Sequence, residues 1–394
     1  MTEAPISVHT VLPDNDQREL EIRWNESHSD RFHYVWLRHA ARTPDGMSND
    51  TSVKIDLIPD QLDSLVVLET EISENRLLVK WKDDDEFTDY SLAMLKDAVY
   101  NDESRSRRKN VPEYWDAVTS DQIPRASWAD LEQDSTLQEI MAGVCRYGLV
   151  KISNVPTKPG SIAGVAERLG PIHINNYGRI FDVRTNTNVG LGSNTGAFLG
   201  PHTDESYRHA PPGISLFHCL EQCEKGGESI LVDGFHAAQH LREKNPEAFE
   251  VLSGVPVFFQ RLAEPEENMQ AHARIISTDI DGDVQGIRFT DRTIPPQDVP
   301  AHLVEPLYRG IHAFWKIVND PLMQYRYRMH PGDLHIFDNH RVLHGRTAFD
   351  AGESSRFLQQ CSVNRDEFHN NFRLLSARLG RPGRDWTLTD GAQG

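Results

Sequence analysis

Apolar and polar residues alternate twice near the start of the chain, in Leu20-Glu21-Ile22-Arg23-Trp24 and again in Leu77-Leu78-Val79-Lys80-Trp81. A period of two is what a half-buried strand requires, because successive side chains leave opposite faces. With Tyr34-Val35-Trp36-Leu37-Arg38 read as a further strand between them, residues 1–98 predict a small β-rich domain. Downstream the period changes. Leu137, Ile140, Met141, Val144 and Cys145 recur at helical spacing, with Ser135 and Gln138 suited to a capping box and Gly148 to a stop. A strand over 149–155 and a shorter helix over 161–169, closed by Gly170, follow. Strands are expected at 214–220 and 229–233, joined by a Gly226-Gly227 turn, and again at 334–337, 342–346 and 356–361. Helices are expected at 237–244 and 303–318, the second burying Val304, Leu307, Ile311, Phe314 and Val318. Pro331-Gly332-Asp333 and Asp338-Asn339-His340-Arg341 read as turns. Short strands flanked by helices give a mainly β class. The architecture expected over 126–385 is a double-stranded β-helix, or jelly roll. The stretch 101–110 carries charge and no apolar residue, which puts the linker at 99–125 and makes its basic run a solvated loop.

Composition narrows the classes. A length of 394 residues suits one large and one small domain, and 25% charged with 38% hydrophobic residues is ordinary for a globular chain. The net charge of −18 opposes nucleic acid or an anionic membrane surface as a partner. Residues 1–16 are polar and contain Pro, unlike a signal peptide, and no apolar run approaches the roughly 18 residues needed to span a bilayer. A cytoplasmic location is expected. Cys145, Cys219, Cys223 and Cys361 lack zinc-finger spacing and are expected as reduced, buried thiols.

The candidate chemistry begins at His202-Thr203-Asp204. Ligands at i and i+2 leave one face of an extended segment. His344, brought beside them by a fold-back, completes the two imidazoles and one carboxylate of a facial triad, which holds ferrous iron with three positions open. Arg356 follows twelve positions after His344 and is placed to take the far carboxylate of a 2-oxo diacid on that iron. This is the minimum apparatus of an iron(II)- and 2-oxoglutarate-dependent oxygenase using O2. An H-x-D tripeptide alone is weak, since buried hydrogen-bonded His explains most instances; the turns and strands around both motifs carry the metal reading. The glycine-rich Gly190–Gly196 stretch leads into the His202 segment rather than a helix, and no Gly-Lys-Ser/Thr follows it. Nucleotide binding is therefore not expected, and these glycines read as a loop beside the metal. No G-x-S-x-G elbow supports a serine hydrolase.

His202-Thr203-Asp204, Pro211-Pro212-Gly213, His218-Cys219, Gly226-Gly227-Glu228-Ser229, Val232-Asp233-Gly234, Asp338-Asn339 and His344-Gly345-Arg346 together resemble the γ-butyrobetaine hydroxylase family of the taurine-dioxygenase-like superfamily. The resemblance covers nearly the whole chain. It implies a homodimer that hydroxylates a small zwitterionic trimethylammonium compound, and it makes Ser229 a second donor to 2-oxoglutarate beside Arg356.

Departures from the family pattern are specific. Where the family binds structural zinc through a Cys cluster and a His, this chain has His39-Ala40-Ala41-Arg42 and Asp83-Asp84-Asp85, and the first 144 residues contain no thiol. No zinc is expected, because a closed site needs four good ligands. In the aromatic cage for the trimethylammonium head, Tyr177 matches, Phe181 stands where Trp is usual, and three cage tyrosines correspond to Ser193, Glu205 and Ser362. Tyr207 is expected to restore one wall and Glu205 to offer the cation a formal charge; the alternative is that both only shape a loop. At the anionic end, Asn188 matches one family asparagine and Arg288 replaces the other. A guanidinium there suits a phosphonate, so the resemblance is greatest to enzymes that hydroxylate 2-(trimethylammonio)ethylphosphonate at the carbon next to phosphorus. The alternative is that Arg288 pairs with Asp291 or Glu205. γ-Butyrobetaine, giving L-carnitine, and trimethyllysine are the competing substrates, and a non-catalytic quaternary-amine sensor is the reading from another class.

Overall fold

Leu20 and Ile22 lie in the middle strand of a three-stranded antiparallel sheet formed by Thr10–Asp14, Glu19–Arg23 and Ser29–His33. Leu77 and Val79 lie in the middle of a second one, Val67–Ser73, Arg76–Trp81 and Phe87–Ser91. Their inward faces meet in one core with Trp24, Phe32, Tyr34 and Trp81. These elements belong to the first of two compact units, Met1–Lys109 and Asn110–Gly394. The computed structural model describes residues 6–41, 62–184, 196–263, 265–350, 356–381 and 388.

Two expectations fail in the first unit. Tyr34–Ala40 is a helix, not a strand, because its buried residues are Tyr34 and Leu37, three apart, and the Ala41 N–H donates to the Leu37 carbonyl (2.8 Å). The charged stretch is also helical, over Asp102–Arg108. Asn101 caps it by accepting from the Ser104 N–H (2.8 Å), with acidic residues in its first turn and arginines in its last, so charge complements the helix dipole where apolar periodicity is absent. Arg38 pairs with Asp84 and stacks over Trp81 at 5.4 Å.

The second unit begins inside the expected linker. Trp115 is buried there, and its indole N–H donates to the Tyr147 carbonyl (2.7 Å). Two sheets then face each other as a jelly roll. The four-stranded one runs in the order Leu199–His202, Val342–Arg346, Ser229–Asp233, Tyr325–Tyr327. The six-stranded one runs Arg125–Ser127, Leu149–Ser153, Leu334–Asp338, Ile214–Glu221, Phe357–Val363, Phe181–Arg184. All pairings are antiparallel except that of Arg125–Ser127 with Leu149–Ser153.

The outward residues of the larger sheet, Leu216, Ile336 and Val363 among them, pack under the helices Asp134–Tyr147, Ile162–Leu169 and Arg365–Arg378. By strand alternation, the row Lys151, His335, Phe217, Gln360 takes the other face, toward the smaller sheet. A second core forms under Gly234–Lys244, Pro246–Gly254 and Ala301–Val318.

Asp134–Tyr147 ends on Gly148 (φ 72°) as expected, where a Cβ would lie 2.7 Å from Arg341 Cδ. Its capping box does not form. The helix starts at Asp134 with Gln133 as its N-cap, two residues before the expected cap, which puts Ser135 inside its first turn. In Ala301–Val318 the buried residues are Leu307, Gly310, Phe314 and Val318; Ile311 is half-buried and Val304 is 37% exposed, so the apolar stripe is wider than the contact it makes. All four cysteines are free; three are buried and Cys145 is half-buried. Among the described residues, no helix is long and apolar enough to cross a membrane.

Candidate metal centre and substrate cavity

His202 closes its strand and pairs in register with His344 on the neighbouring one. Gly345 makes that approach possible: a Cβ there would lie 2.4 Å from the Leu199 carbonyl oxygen. Asp204 lies beyond the strand in a turn, so the two ligands do not share an extended segment. The turn is fixed instead by Asn339, whose Oδ1 accepts the Asp204 N–H (2.7 Å) while its Nδ2 donates to the carbonyls of Asp204 (3.2 Å) and Pro212 (3.0 Å). The next residue, Glu205, has φ 54°, a strained conformation for a residue with a side chain and one that gathers at functional sites.

The three ligands converge. Asp204 Oδ1 is 3.6 Å from His202 Nε2 and 3.4 Å from His344 Nε2, and one ligand atom from each residue lies within 4.8 Å of the others. His202 Nδ1 donates to the Gly200 carbonyl (2.9 Å), which leaves Nε2 as the lone-pair nitrogen facing the carboxylate. Burial, with His344 adding to it, pushes the His202 imidazole down to about 4, so it stays neutral and able to ligate. Burial acts to raise Asp204, but the imidazoles of His344 and His202 outweigh it and hold the carboxyl well below its usual range. The His344 ring is set by packing, edge-on to Phe217 (4.9 Å) and tilted against Phe337 (5.1 Å). Gln360 Nε2 donates to Asp204 Oδ2 (2.6 Å) and orients the carboxylate. Two converging imidazoles and a pre-oriented carboxylate fit a ferrous ion with open positions.

Arg346 follows His344 by two residues on the same strand and therefore shares its face. Ser229 stands opposite Arg346 in register. Burial first and then the Arg356 charge push the Arg346 guanidinium down to about 10, and both guanidinium groups lie over the Phe349 ring, at 4.7 and 5.9 Å. Two buried like charges beside a serine hydroxyl form a donor set that fits a dicarboxylate. Sequence reasoning singled out Arg356 and Ser229 but not Arg346, for which the i+2 spacing from His344 was the available signal. Gln360 carried no comparable signal, and Asn339 stood only in a motif of the resemblance, because their roles depend on contacts 156 and 135 residues away.

On the open side of the triad lies a cavity of about 270 Å³, lined among others by Tyr177, Phe181, His202, Asp204, Glu205 and Tyr207. Tyr177 and Phe181 have ring centroids 5.7 Å apart, and the Tyr177 and Tyr207 hydroxyls are 3.3 Å apart. Glu205 pairs with Arg208, and Asn175 Nδ2 lies 3.4 Å from Glu205 Oε1. Ser362 also lines the cavity. Arg288 is not among the lining residues. It is buried, and its guanidinium donates to the carbonyls of Arg208 (2.9 Å) and His209 (3.2 Å), the loop just beyond Tyr207. Asn188 and Ser193, with most of the glycine-rich stretch, lie outside the described residues.

Residues 107–362 match the family described as taurine catabolism dioxygenase TauD, TfdA. Among individual proteins, the γ-butyrobetaine dioxygenase of Pseudomonas sp. (strain AK-1) is 30% identical over 359 residues, covering 90% of this chain and 93% of its own. The γ-butyrobetaine dioxygenase of Homo sapiens is 28% identical over 371 residues, covering 91% and 95%. The mitochondrial trimethyllysine dioxygenase of Bos taurus is 30% identical over 356 residues, covering 88% and 83%. With a converging His-Asp-His triad and these similarities along nearly its full length, the chain belongs to the TauD/TfdA family, in the branch of the γ-butyrobetaine and trimethyllysine dioxygenases, and is an Fe(II)- and 2-oxoglutarate-dependent dioxygenase.

Proposed function

We propose that the chain hydroxylates a small zwitterionic trimethylammonium compound. The observation that carries this reading is the meeting of Tyr177, Phe181 and Tyr207 at one cavity whose floor is His202 and Asp204. Aromatic faces attract a quaternary cation through the ring quadrupole, and here they stand within reach of the metal ligands. His202, Asp204 and His344 would hold the iron, with Arg356, Arg346 and Ser229 holding 2-oxoglutarate. Bound together, the metal and co-substrate supply the O2-dependent oxidation of a C–H bond, with succinate and CO2 released.

The chain's own contribution is positioning. Gln360 and Asn339 fix the Asp204 carboxylate and its backbone. Phe217 and Phe337 fix the His344 ring. The aromatic walls hold the ammonium end so that a methylene rests over the floor. Arg288, tied to the loop after Tyr207, supports a wall of the cage.

The carboxylate-ended substrates for which the relatives are named, γ-butyrobetaine and trimethyllysine, fit those relatives better than a phosphonate does. 2-(Trimethylammonio)ethylphosphonate is retained as the second reading because three arginines, Arg179, Arg261 and Arg292, line the cavity. Incubating the Fe(II)-loaded protein with 2-oxoglutarate, O2 and all three compounds should give a product heavier by one oxygen atom from at least one of them. Addition to the phosphonate alone would select the second reading. No product from any, with 2-oxoglutarate consumption no higher than in substrate-free controls, would reject the proposal and favour a binding protein.

Arg356→Ala should raise the KM for 2-oxoglutarate by about ten- to hundredfold, the worth of a charge-assisted hydrogen bond to a carboxylate, and leave the KM for the ammonium substrate within about twofold. Equal increases in both would remove Arg356 from the co-substrate site.

A further inference from the structure

We infer that Arg292, with the Thr293 hydroxyl beside it, anchors the anionic end of the substrate. The inference rests on the zwitterion reading above and deepens it.

Charge balance at the cavity leads there. Five Asp, Glu and Arg side chains line it: Arg179, Asp204, Glu205, Arg261 and Arg292. Arg179 pairs with Glu167, Glu205 with Arg208, and Arg261 with Glu267. Asp204 faces the two imidazoles and is committed to the metal. Arg292 alone of the five has no ion-pair partner among the described residues. The charge of its neighbour Asp291 offsets part of the burial cost on Arg292, but the two make no ion pair; the Asp291 carboxylate accepts the Trp315 indole N–H (3.2 Å) on the helix Ala301–Val318 and is not a lining residue.

The second observation is independent of charge. Thr293 lines the same cavity, and its Oγ1 is buried without a hydrogen-bond partner among the described residues. A buried hydroxyl left unpaired is costly, and a bound acceptor would satisfy it. Arg292 and Thr293 sit on one short turn, Asp291–Thr293, held against the metal loop by the Thr203 N–H to Phe289 carbonyl bond (2.7 Å). A guanidinium fork and an adjacent hydroxyl suit a carboxylate or a phosphonate alike. Arg288, expected in this role from sequence, is engaged on two backbone carbonyls four residues earlier.

The test compares wild type with Arg292→Ala, Arg292→Lys and Thr293→Val. Binding is read by calorimetry and turnover by succinate release. The probes are γ-butyrobetaine, its neutral carboxamide analogue, and butyrate and butylphosphonate as anions lacking the ammonium group. Arg292→Ala should weaken γ-butyrobetaine binding and raise its KM by about ten- to hundredfold, with kcat and the KM for 2-oxoglutarate within about twofold. The carboxamide should be unaffected, Arg292→Lys should recover part of the loss, and Thr293→Val should cost less than Arg292→Ala. An equal effect on the carboxamide and γ-butyrobetaine, or none on either, overturns the assignment while leaving the trimethylammonium reading intact. If neither ammonium compound binds wild type, the anion probes decide alone. Loss of their binding in Arg292→Ala supports the anchor without the cage, and unchanged or absent binding overturns it.

Discussion

His344→Ala should abolish 2-oxoglutarate-dependent turnover, cutting succinate release by more than the roughly hundredfold that loss of a ligand's orienting partner costs. The expectation rests on three features of this imidazole. It lies in register with His202 on the adjacent strand, its Nε2 is 3.4 Å from Asp204 Oδ1, and it packs against Phe217 and Phe337. Truncation leaves one imidazole and one carboxylate, a pair with weak hold on a ferrous ion in competition with water. Iron content after desalting should therefore fall together with activity. The thermal midpoint should fall only as far as the cavity left by the ring requires, because the strand is anchored on both sides, by Leu199–His202 and Ser229–Asp233. A variant that kept stoichiometric iron and most of its turnover would remove His344 from the ligand set.

The legible part of this site was the part written locally. H-x-D and the second His, which the fold brings together, stand between turns and strands whose residue types are strong signals, and the jelly roll follows from those strands and the helical periodicities around them. The rest depends on register. Gln360 orients Asp204 only because the strand Phe357–Val363 pairs with Ile214–Glu221, and Asn339 reaches the same residue only because its turn packs against the loop at Pro212. Arg288 shows the converse. A guanidinium in place of an amide reads as an anion site, yet its position directs it to the Arg208 and His209 carbonyls. In the first unit, Tyr34-Val35-Trp36-Leu37 fits either period over so few residues, and burial of Tyr34 with Leu37 decides for the helix.

The largest effect on stability is expected at a buried pair outside the candidate ligand set, Asp233 and Arg341. Both side chains are almost wholly buried, at 0% and 2% exposure. Arg341 Nε donates to Asp233 Oδ1 (2.9 Å) and Nη2 to Oδ2 (2.8 Å), a bidentate pair. The remaining donors reach the carbonyls of Arg146 (2.8 Å) and Glu113 (2.6 Å), while Asp233 also accepts the N–H groups of Trp115 (3.2 Å) and Phe235 (3.1 Å). The network ties the segment entering the jelly roll to the turn that starts the His344 strand. Asp233→Ala strands a buried guanidinium and two backbone donors, and should cost roughly 3–5 kcal/mol in denaturant unfolding of the second unit. A loss below about 1 kcal/mol would mean that water or a shifted side chain replaces the carboxylate. The double change Asp233→Leu with Arg341→Met separates charge from packing: it removes both ions, so it should be less destabilising than Asp233→Ala alone if the uncompensated charge is the dominant cost. Because the His344 strand begins at Val342, directly after this arginine, Asp233→Ala should also lower iron retention at temperatures where the fold persists, which would trace the coupling from a buried ion pair to the metal centre.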